Sequence, residues 1–207
     1  MLIMTNVIVF LVMLLSDLGV ISNDFLANIN GNFPMVPSNI IRGERLYTVF
    51  TSMFLHAGFL HLFGNMLYLY IFGDNVEDVF GHASYLVFYV FCGLAASLAH
   101  IMSLTNSQLY GIPVVGASGA ISGVLGAYLV LYPKARVLTV IFYGWPIIVP
   151  IPAIVFLGVW FLMQWFLGFF DVAGGVAYWA HIGGFITGII LALTIGRKRK
   201  QAKRIRL

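Results

Sequence analysis

The chain contains a run of 55 residues, from position 79 to position 133, without a single Asp, Glu, Lys or Arg. A helix needs about 20 apolar residues to cross a bilayer, so this run is long enough for two spans, separated by the polar stretch 103–113. The whole chain is 61% hydrophobic and 9% charged, whereas soluble domains are about 25% charged. A soluble globule of 207 residues has too little interior for that much apolar surface. We therefore expect a membrane protein.

The hydropathy pattern predicts an all-α polytopic membrane protein that forms a single domain over residues 1–207. The predicted spans are residues 2–22, 59–73, 84–102, 116–132, 151–168 and 174–196, followed by a basic tail at 197–207. Residues 23–58 are too polar for another span and predict a long loop with partly interfacial helices. The acidic cluster at 74–78 predicts a turn after the second span. Gly144 and the prolines after it predict an interfacial turn before the fifth span.

The basic residues predict the orientation of these spans. Seven of the eleven Lys and Arg residues lie in the tail. A cytoplasmic tail places nine basic residues inside and two, Arg42 and Arg45, outside, which is the positive-inside bias of membrane proteins. We therefore expect a multi-pass membrane protein with both termini in the cytoplasm. As a separate expectation, we assign it to a prokaryotic cell membrane.

The net charge of +4 does not predict nucleic-acid binding, because the charge is concentrated in a tail that lacks interleaved aromatic residues. A basic segment directly after a span is typical of contact with anionic lipid. The single cysteine, Cys92, excludes an intrachain disulfide and a multi-cysteine zinc site, and we expect it in the core or facing lipid. The oligomeric state does not follow from the sequence.

Four polar side chains interrupt the apolar spans. His61 and Asn65 lie in the second span, Ser118 in the fourth and His181 in the sixth. In the expected topology all four lie in the outward halves of their spans. Polar groups inside a membrane are costly and indicate function, although structural hydrogen bonds account for many of them. This shared depth predicts one polar pocket.

Two of these spans carry small residues that allow close packing. The small residues are Gly116, Gly119 and Gly123 around Ser118, and Gly184 and Gly188 after His181. Gly119 and Gly123 form a GxxxG pair, which lets another helix approach closely. Facing glycines could bring Ser118 to His181. In the alternative interpretation Ser118 is only a helix cap and His181 only a packed, hydrogen-bonded histidine.

A serine beside a histidine has a specific chemical use. Histidine can take the proton that makes a serine hydroxyl a nucleophile. His61 and Asn65 are about one helical turn apart, so both could donate to an oxyanion, together with the Ser118 backbone amide. No acidic residue is visibly placed to orient His181, so the sequence predicts a dyad and no triad. This chemistry calls for no cofactor and no metal.

The arrangement resembles rhomboid intramembrane serine proteases, over about Tyr47 to Gly188. The motifs that carry the resemblance are His56-x4-His61-x3-Asn65, then Gly116-Ala117-Ser118-Gly119, then Ala180-His181-Ile182-Gly183-Gly184.

The resemblance implies a six-helix rhomboid-like bundle that cleaves transmembrane protein substrates near their outward ends. It implies Ser118 as nucleophile, His181 as base, His61 and Asn65 as oxyanion donors, and His56 as a structural member of the first loop. It also implies that span five and the loop around 169–175 form a lateral gate and a cap.

The chain departs from the family pattern in two places. Many members carry a Trp-Arg pair before the first histidine, where this chain has Tyr47 and Thr48. An aromatic residue that often stacks on the catalytic histidine is replaced by Ser122, which we expect to leave His181 less supported. A catalytically silent, client-binding rhomboid-like protein is the alternative function, and a small transporter is a third.

Overall fold

The computed structural model describes residues 1–170 and 175–206. Within these ranges the α-helices are α1 (Leu2–Asp17), α2 (Asn23–Asn32), α3 (Pro37–Ile41), α4 (Thr48–Thr51), α5 (Phe59–Phe80), α6 (His82–Ser103), α7 (Ser118–Leu131), α8 (Ala153–Phe170), α9 (Tyr178–Leu191) and α10 (Arg197–Arg206). Short 3-10 turns cover Ser52–Phe54 and Ser107–Gly111, and a π-helical turn, Ala192–Gly196, joins α9 to α10. The fold is therefore mostly helical, as predicted.

The helices agree with the predicted spans in position, with differences in length. Three are long and apolar enough to cross a membrane: α6, α8, and the helical segment Tyr178–Lys203 that begins with α9. A fourth candidate is the pair Thr48–Phe54 and Phe59–Phe80, which is bent by 92°. Helices α1 and α7 are apolar but shorter. The number of six spans therefore stays a prediction.

The second span is longer than predicted. Helix α5 continues through the acidic cluster at 74–78 and ends only at Gly81, which has a φ of 77° and so breaks the helix. The predicted turn at the cluster is wrong, because acidic side chains on an exposed last turn do not stop a helix. The long loop 23–58 does contain the short helices expected of it.

The all-α prediction is wrong between α7 and α8. Residues 136–152 form an antiparallel hairpin of strands β1 (Arg136–Tyr143) and β2 (Trp145–Pro152), with Gly144 at its tip. A φ of 76° at Gly144 suits the tight turn. The fifth span starts directly after β2, at Ala153.

The prolines of β2 explain how a proline-rich segment can be a strand. The hydrogen bond from the Ala153 N–H to the Ala135 carbonyl continues the ladder. The backbone N–H and C=O groups of odd-numbered residues therefore point toward the partner strand. Pro146, Pro150 and Pro152 are all even-numbered, and their missing N–H groups therefore lie on the outer edge. The ladder loses no donor, and the outer edge of β2 offers few N–H groups to a further strand.

Helices α7 and α9 form the closest contact of the bundle. A Cβ atom on Gly184 would overlap the backbone carbonyl of Gly119, and one on Gly188 would overlap that of Gly123. Gly123 in turn leaves room for Cys92, which is fully buried. The predicted facing glycines are confirmed, and of the two places expected for Cys92 the core is the correct one.

The basic tail folds back on the bundle. It continues as helix α10, where Arg199 donates to the carbonyl of Phe80, Lys200 to that of Leu131, and Lys203 to Asp78. Phe80 and Leu131 are the last residues of α5 and α7, whose carbonyls have no partner within their own helices. The expectation that the tail serves lipid contact is therefore incomplete, since these three side chains bind helix ends.

We expect Gly188→Ala to lower the stability of the fold by about 1–3 kcal/mol, because the new methyl group meets backbone that cannot rotate away. The matched control is Gly158→Ala on α8, where nothing lies within 4 Å of the added Cβ. Thermal unfolding in detergent measures both variants. Equal unfolding temperatures for both would contradict the close contact.

We expect the double variant Arg199→Gln and Lys200→Gln to lower the free energy of unfolding by about 1–2 kcal/mol, because two helix C-termini lose their cationic donors. The control is Arg197→Gln with Lys198→Gln, which removes the same charge from exposed positions of α10. The same loss in both variants would show that only net charge matters.

Candidate active site

The predicted polar residues lie at one end of the bundle, near the starts of three helices. His61 is the third residue of α5, Ser118 the first of α7 and His181 the fourth of α9. The opposite ends of α5 and α7 are the ones that α10 binds. These three helices therefore run in the same direction, with the polar site at one end and the basic helix at the other.

Ser118 and His181 are joined by a hydrogen bond. The Ser118 Oγ lies 2.8 Å from the His181 Nε2, which is the distance of a nucleophile and its base. Ser118 is not the N-cap of α7: that residue is Ala117, and no side chain caps the helix. The hydroxyl is thus directed at the histidine and away from its own backbone.

Gly116 lets the chain pass close to His61 just before Ser118. Its φ of 129° is accessible to glycine, and a Cβ at this position would lie 2.8 Å from the His61 Nε2 and 3.7 Å from the Ser118 Oγ. The Gly116 N–H donates to the Ser52 carbonyl at 2.9 Å and so ties this turn to the first loop. Only glycine fits between the two side chains.

The hydrogen bonding of His61 determines its tautomer. The Ala57 N–H donates to the His61 Nδ1 at 3.4 Å, so the proton of the neutral ring lies on Nε2. That Nε2 faces the space beside Gly116 and Ser118. His56 is buried and contacts the edge of the His61 ring, with ring centroids 5.1 Å apart. His61 is therefore a donor toward the site, and His56 packs behind it.

Asn65 lies one helical turn after His61 on α5. It is 7% exposed, and its Nδ2 is buried without a hydrogen-bond partner among the described residues. Buried donors are normally satisfied, and an exception in a native protein is often functional. Asn65 thus holds an unused donor in the helix that also carries His61.

The structure adds a residue that the sequence reasoning missed. Gln164 of α8 is 5% exposed, and its Oε1 lies 2.7 Å from the His181 Nδ1. Trp160, one turn earlier on α8, has its ring centroid 6.0 Å from that of His181. The signal was present: Gln164 is the one amide or acidic side chain in the 18 residues of α8.

Ser122 does not leave His181 unsupported, contrary to expectation. Its hydroxyl donates to the Ser118 carbonyl at 2.7 Å, and the histidine is contacted by Gln164, Trp160 and Tyr178. The ring is therefore supported from α8 and from α9 itself.

The cap expected over the site falls partly outside the described residues, because residues 171–174 are not described. Within the described part of the chain, no group of three or more His, Cys, Asp or Glu side chains could hold a metal ion.

Comparison with known proteins places the chain in a family. The family model described as Rhomboid domain matches residues 43–198. The chain is 29% identical over 168 residues to Rhomboid protein 1, mitochondrial, of Saccharomyces cerevisiae, covering 77% of this chain and 45% of the relative. It is 30% identical over 181 residues to Rhomboid protease GluP of Bacillus subtilis, covering 83% and 32%.

A third relative is Inactive rhomboid protein 1 of Drosophila melanogaster, 28% identical over 106 residues, covering 51% of this chain and 7% of the relative. The chain spans less than half the length of these relatives. The expected prokaryotic cell membrane conflicts with the mitochondrial names of the yeast relative and of plant relatives, so that expectation is withdrawn. The family match and the 30% identity show that the chain belongs to the rhomboid family.

Proposed function

We propose that this protein is an intramembrane serine endopeptidase that cleaves transmembrane segments of membrane-protein substrates. The observation that carries the proposal is the 2.8 Å hydrogen bond between the Ser118 Oγ and the His181 Nε2 at the start of two apolar helices. A hydroxyl paired with a neutral imidazole is the minimum that acyl transfer requires of a protein.

The first half of the reaction forms an acyl-enzyme. The His181 Nε2 takes the Ser118 proton as the Oγ attacks the carbonyl carbon of the scissile peptide bond. The resulting tetrahedral intermediate carries a negative oxygen. When it collapses, the C–N bond breaks, the His181 imidazolium gives its proton to the departing amine, and the acyl group remains on Ser118.

The negative oxygen needs donors that are already in place. The His61 Nε2–H lies beside Gly116, next to the Ser118 Oγ. The Asn65 Nδ2 is a buried donor without a partner among the described residues. The Ser118 backbone N–H is the first of α7 and lacks a partner within its helix. We assign these three groups to the oxyanion site.

The second half of the reaction releases the product and restores the enzyme. A water molecule loses a proton to the His181 Nε2 and attacks the acyl carbon. The C–O bond to Ser118 then breaks, and the proton returns from His181 to the serine oxygen. Proton transfer through one histidine in both halves needs no further titrating group.

The expected cleavage position follows from the location of the site in the bundle. The catalytic residues lie at the end of the bundle opposite the basic helix α10. Since basic segments prefer the inner side of a membrane, the site opens to the outer side, and both termini lie inside. A substrate helix that approaches through the lipid is then cleaved near its outward end.

A catalytically silent, client-binding protein is the second candidate function. The observation that favours it is the similarity to Inactive rhomboid protein 1. The serine and the histidine are both present here and hydrogen-bonded to each other, which supports the protease over the silent protein.

We expect purified protein in proteoliposomes to cleave a model transmembrane substrate, and Ser118→Ala to abolish cleavage because the nucleophile is lost. His181→Ala should lower kcat by about 10²- to 10⁴-fold, which is the usual contribution of a general base. The control is Thr187→Ala on α9, whose hydroxyl donates to the Gly183 carbonyl of its own helix. Cleavage that persists in Ser118→Ala would refute the assigned nucleophile.

We expect His61→Ala and Asn65→Ala each to lower kcat by about 10²- to 10³-fold, because each removes one donor to the oxyanion. KM should change little, since a donor to the oxyanion acts in the transition state. Leu67→Ala, an exposed position of the same helix, is the control. Variants that raise KM at constant kcat would instead place these residues in substrate binding.

A further inference from the structure

The catalytic histidine is held at both ring nitrogens. The Nε2 bonds to the Ser118 Oγ at 2.8 Å, and the Nδ1 bonds to the Gln164 Oε1 at 2.7 Å. Gln164 belongs to α8, so the base is positioned by a helix that contributes neither the nucleophile nor the base. The sequence predicts a dyad because no acidic residue is placed to orient His181, and the group at the Nδ1 is a neutral amide.

The reaction determines which ring nitrogen of His181 must carry the proton. To take the Ser118 proton, the Nε2 must carry a free electron pair, and the proton of the neutral ring must then lie on Nδ1. A proton on Nδ1 needs an acceptor. The Gln164 carboxamide oxygen is an acceptor that cannot act as a donor. The observed pair therefore stabilises the one tautomer that can work as a base.

We propose that Gln164 is a positioning residue that holds His181 in its Nδ1–H tautomer. Ser118, His181 and Gln164 then form one hydrogen-bonded catalytic unit. Every proton transfer of the reaction takes place at the His181 Nε2, and the Nδ1 proton stays on the ring throughout. The expected change in kcat rests on the proposed protease function. The expected tautomer of His181 does not.

The surroundings favour an amide over a carboxylate at this position. Gln164 is 5% exposed on an otherwise apolar helix. A buried carboxylate would need its own charge partner, whereas a neutral amide accepts the same hydrogen bond without desolvation of a charge.

The neighbours of Gln164 restrain the ring as well. Trp160 lies four residues earlier and therefore on the same face of α8, with its ring centroid 6.0 Å from His181. Trp179 of α9 donates from its indole Nε1 to the Gly168 carbonyl at 3.1 Å and ties the two helices together. The position of the His181 ring thus depends on the packing of α8 against α9.

The test compares the wild-type protein with Gln164→Leu and Gln164→Glu, and uses Met163→Leu as control at a neighbouring exposed position. Leucine is close to glutamine in size but has no acceptor. Glutamate keeps an acceptor oxygen in either protonation state. The kinetic readout is cleavage of a transmembrane substrate in proteoliposomes, with kcat and KM measured separately.

We expect Gln164→Leu to lower kcat by about 10- to 100-fold, as when a residue that orients a metal-bound histidine is lost, and to leave KM unchanged. Gln164→Glu should restore most of kcat, and Met163→Leu should match the wild type. If Gln164→Leu retains the wild-type kcat, or if Gln164→Glu is as impaired as Gln164→Leu, the assignment is wrong.

A second readout does not depend on activity. The chain has five histidines, so the ¹⁵N spectrum of histidine-labelled protein is simple, and the His181 signals are those lost in His181→Ala. We expect one tautomer, with the proton on Nδ1, in the wild type and in Gln164→Glu, and a mixture in Gln164→Leu. The same tautomer in all three proteins would overturn the proposal even if the wild type cleaves no substrate.

Discussion

The close contact between α7 and α9 is the constraint on which the site depends. The backbones of the two helices touch where Gly184 meets the Gly119 carbonyl and Gly188 meets the Gly123 carbonyl. Lipid provides no hydrophobic force that would push two apolar helices together, so close backbone packing has to provide the contact energy. Ser118 and His181 lie at the same end of this contact, and their 2.8 Å bond follows from it.

Polar side chains link the helices by hydrogen bonds at both ends of the bundle. Gln164, His181 and Ser118 form one chain of hydrogen bonds from α8 through α9 to α7. At the opposite end, basic side chains of α10 bind the carbonyls of Phe80 and Leu131 that end their helices. Among the described residues, the buried polar atoms without a partner include the Asn65 Nδ2, both ring nitrogens of His56 and the hydroxyls of Tyr85 and Tyr89. The proposed protease function gives the Asn65 donor a use, as a hydrogen-bond donor to the oxyanion.

The sequence predicts the catalytic pair because its residues come with strong local patterns. A serine within a glycine-rich helix start and a histidine followed by glycines at helical spacing make a close contact possible. The resemblance to rhomboid proteases implies its chemistry. The role of Gln164 is not predicted, because a lone amide in an apolar helix does not show which neighbour it faces. The hairpin is not predicted either, because prolines normally argue against a strand. That Pro146, Pro150 and Pro152 all lack their N–H on the outer edge becomes clear only from the strand register. The docking of α10 depends on a contact across more than 100 residues, from Lys203 to Asp78, 125 positions apart.

The central claim is that Ser118 is a nucleophile activated by His181. The most direct measurement is to treat the folded protein in lipid with a fluorophosphonate, which reacts only with activated serines, and to locate the adduct by mass spectrometry. We predict a single adduct on Ser118 that is strongly reduced in His181→Ala. Folded protein that forms no adduct, or forms one on another serine, would contradict the account.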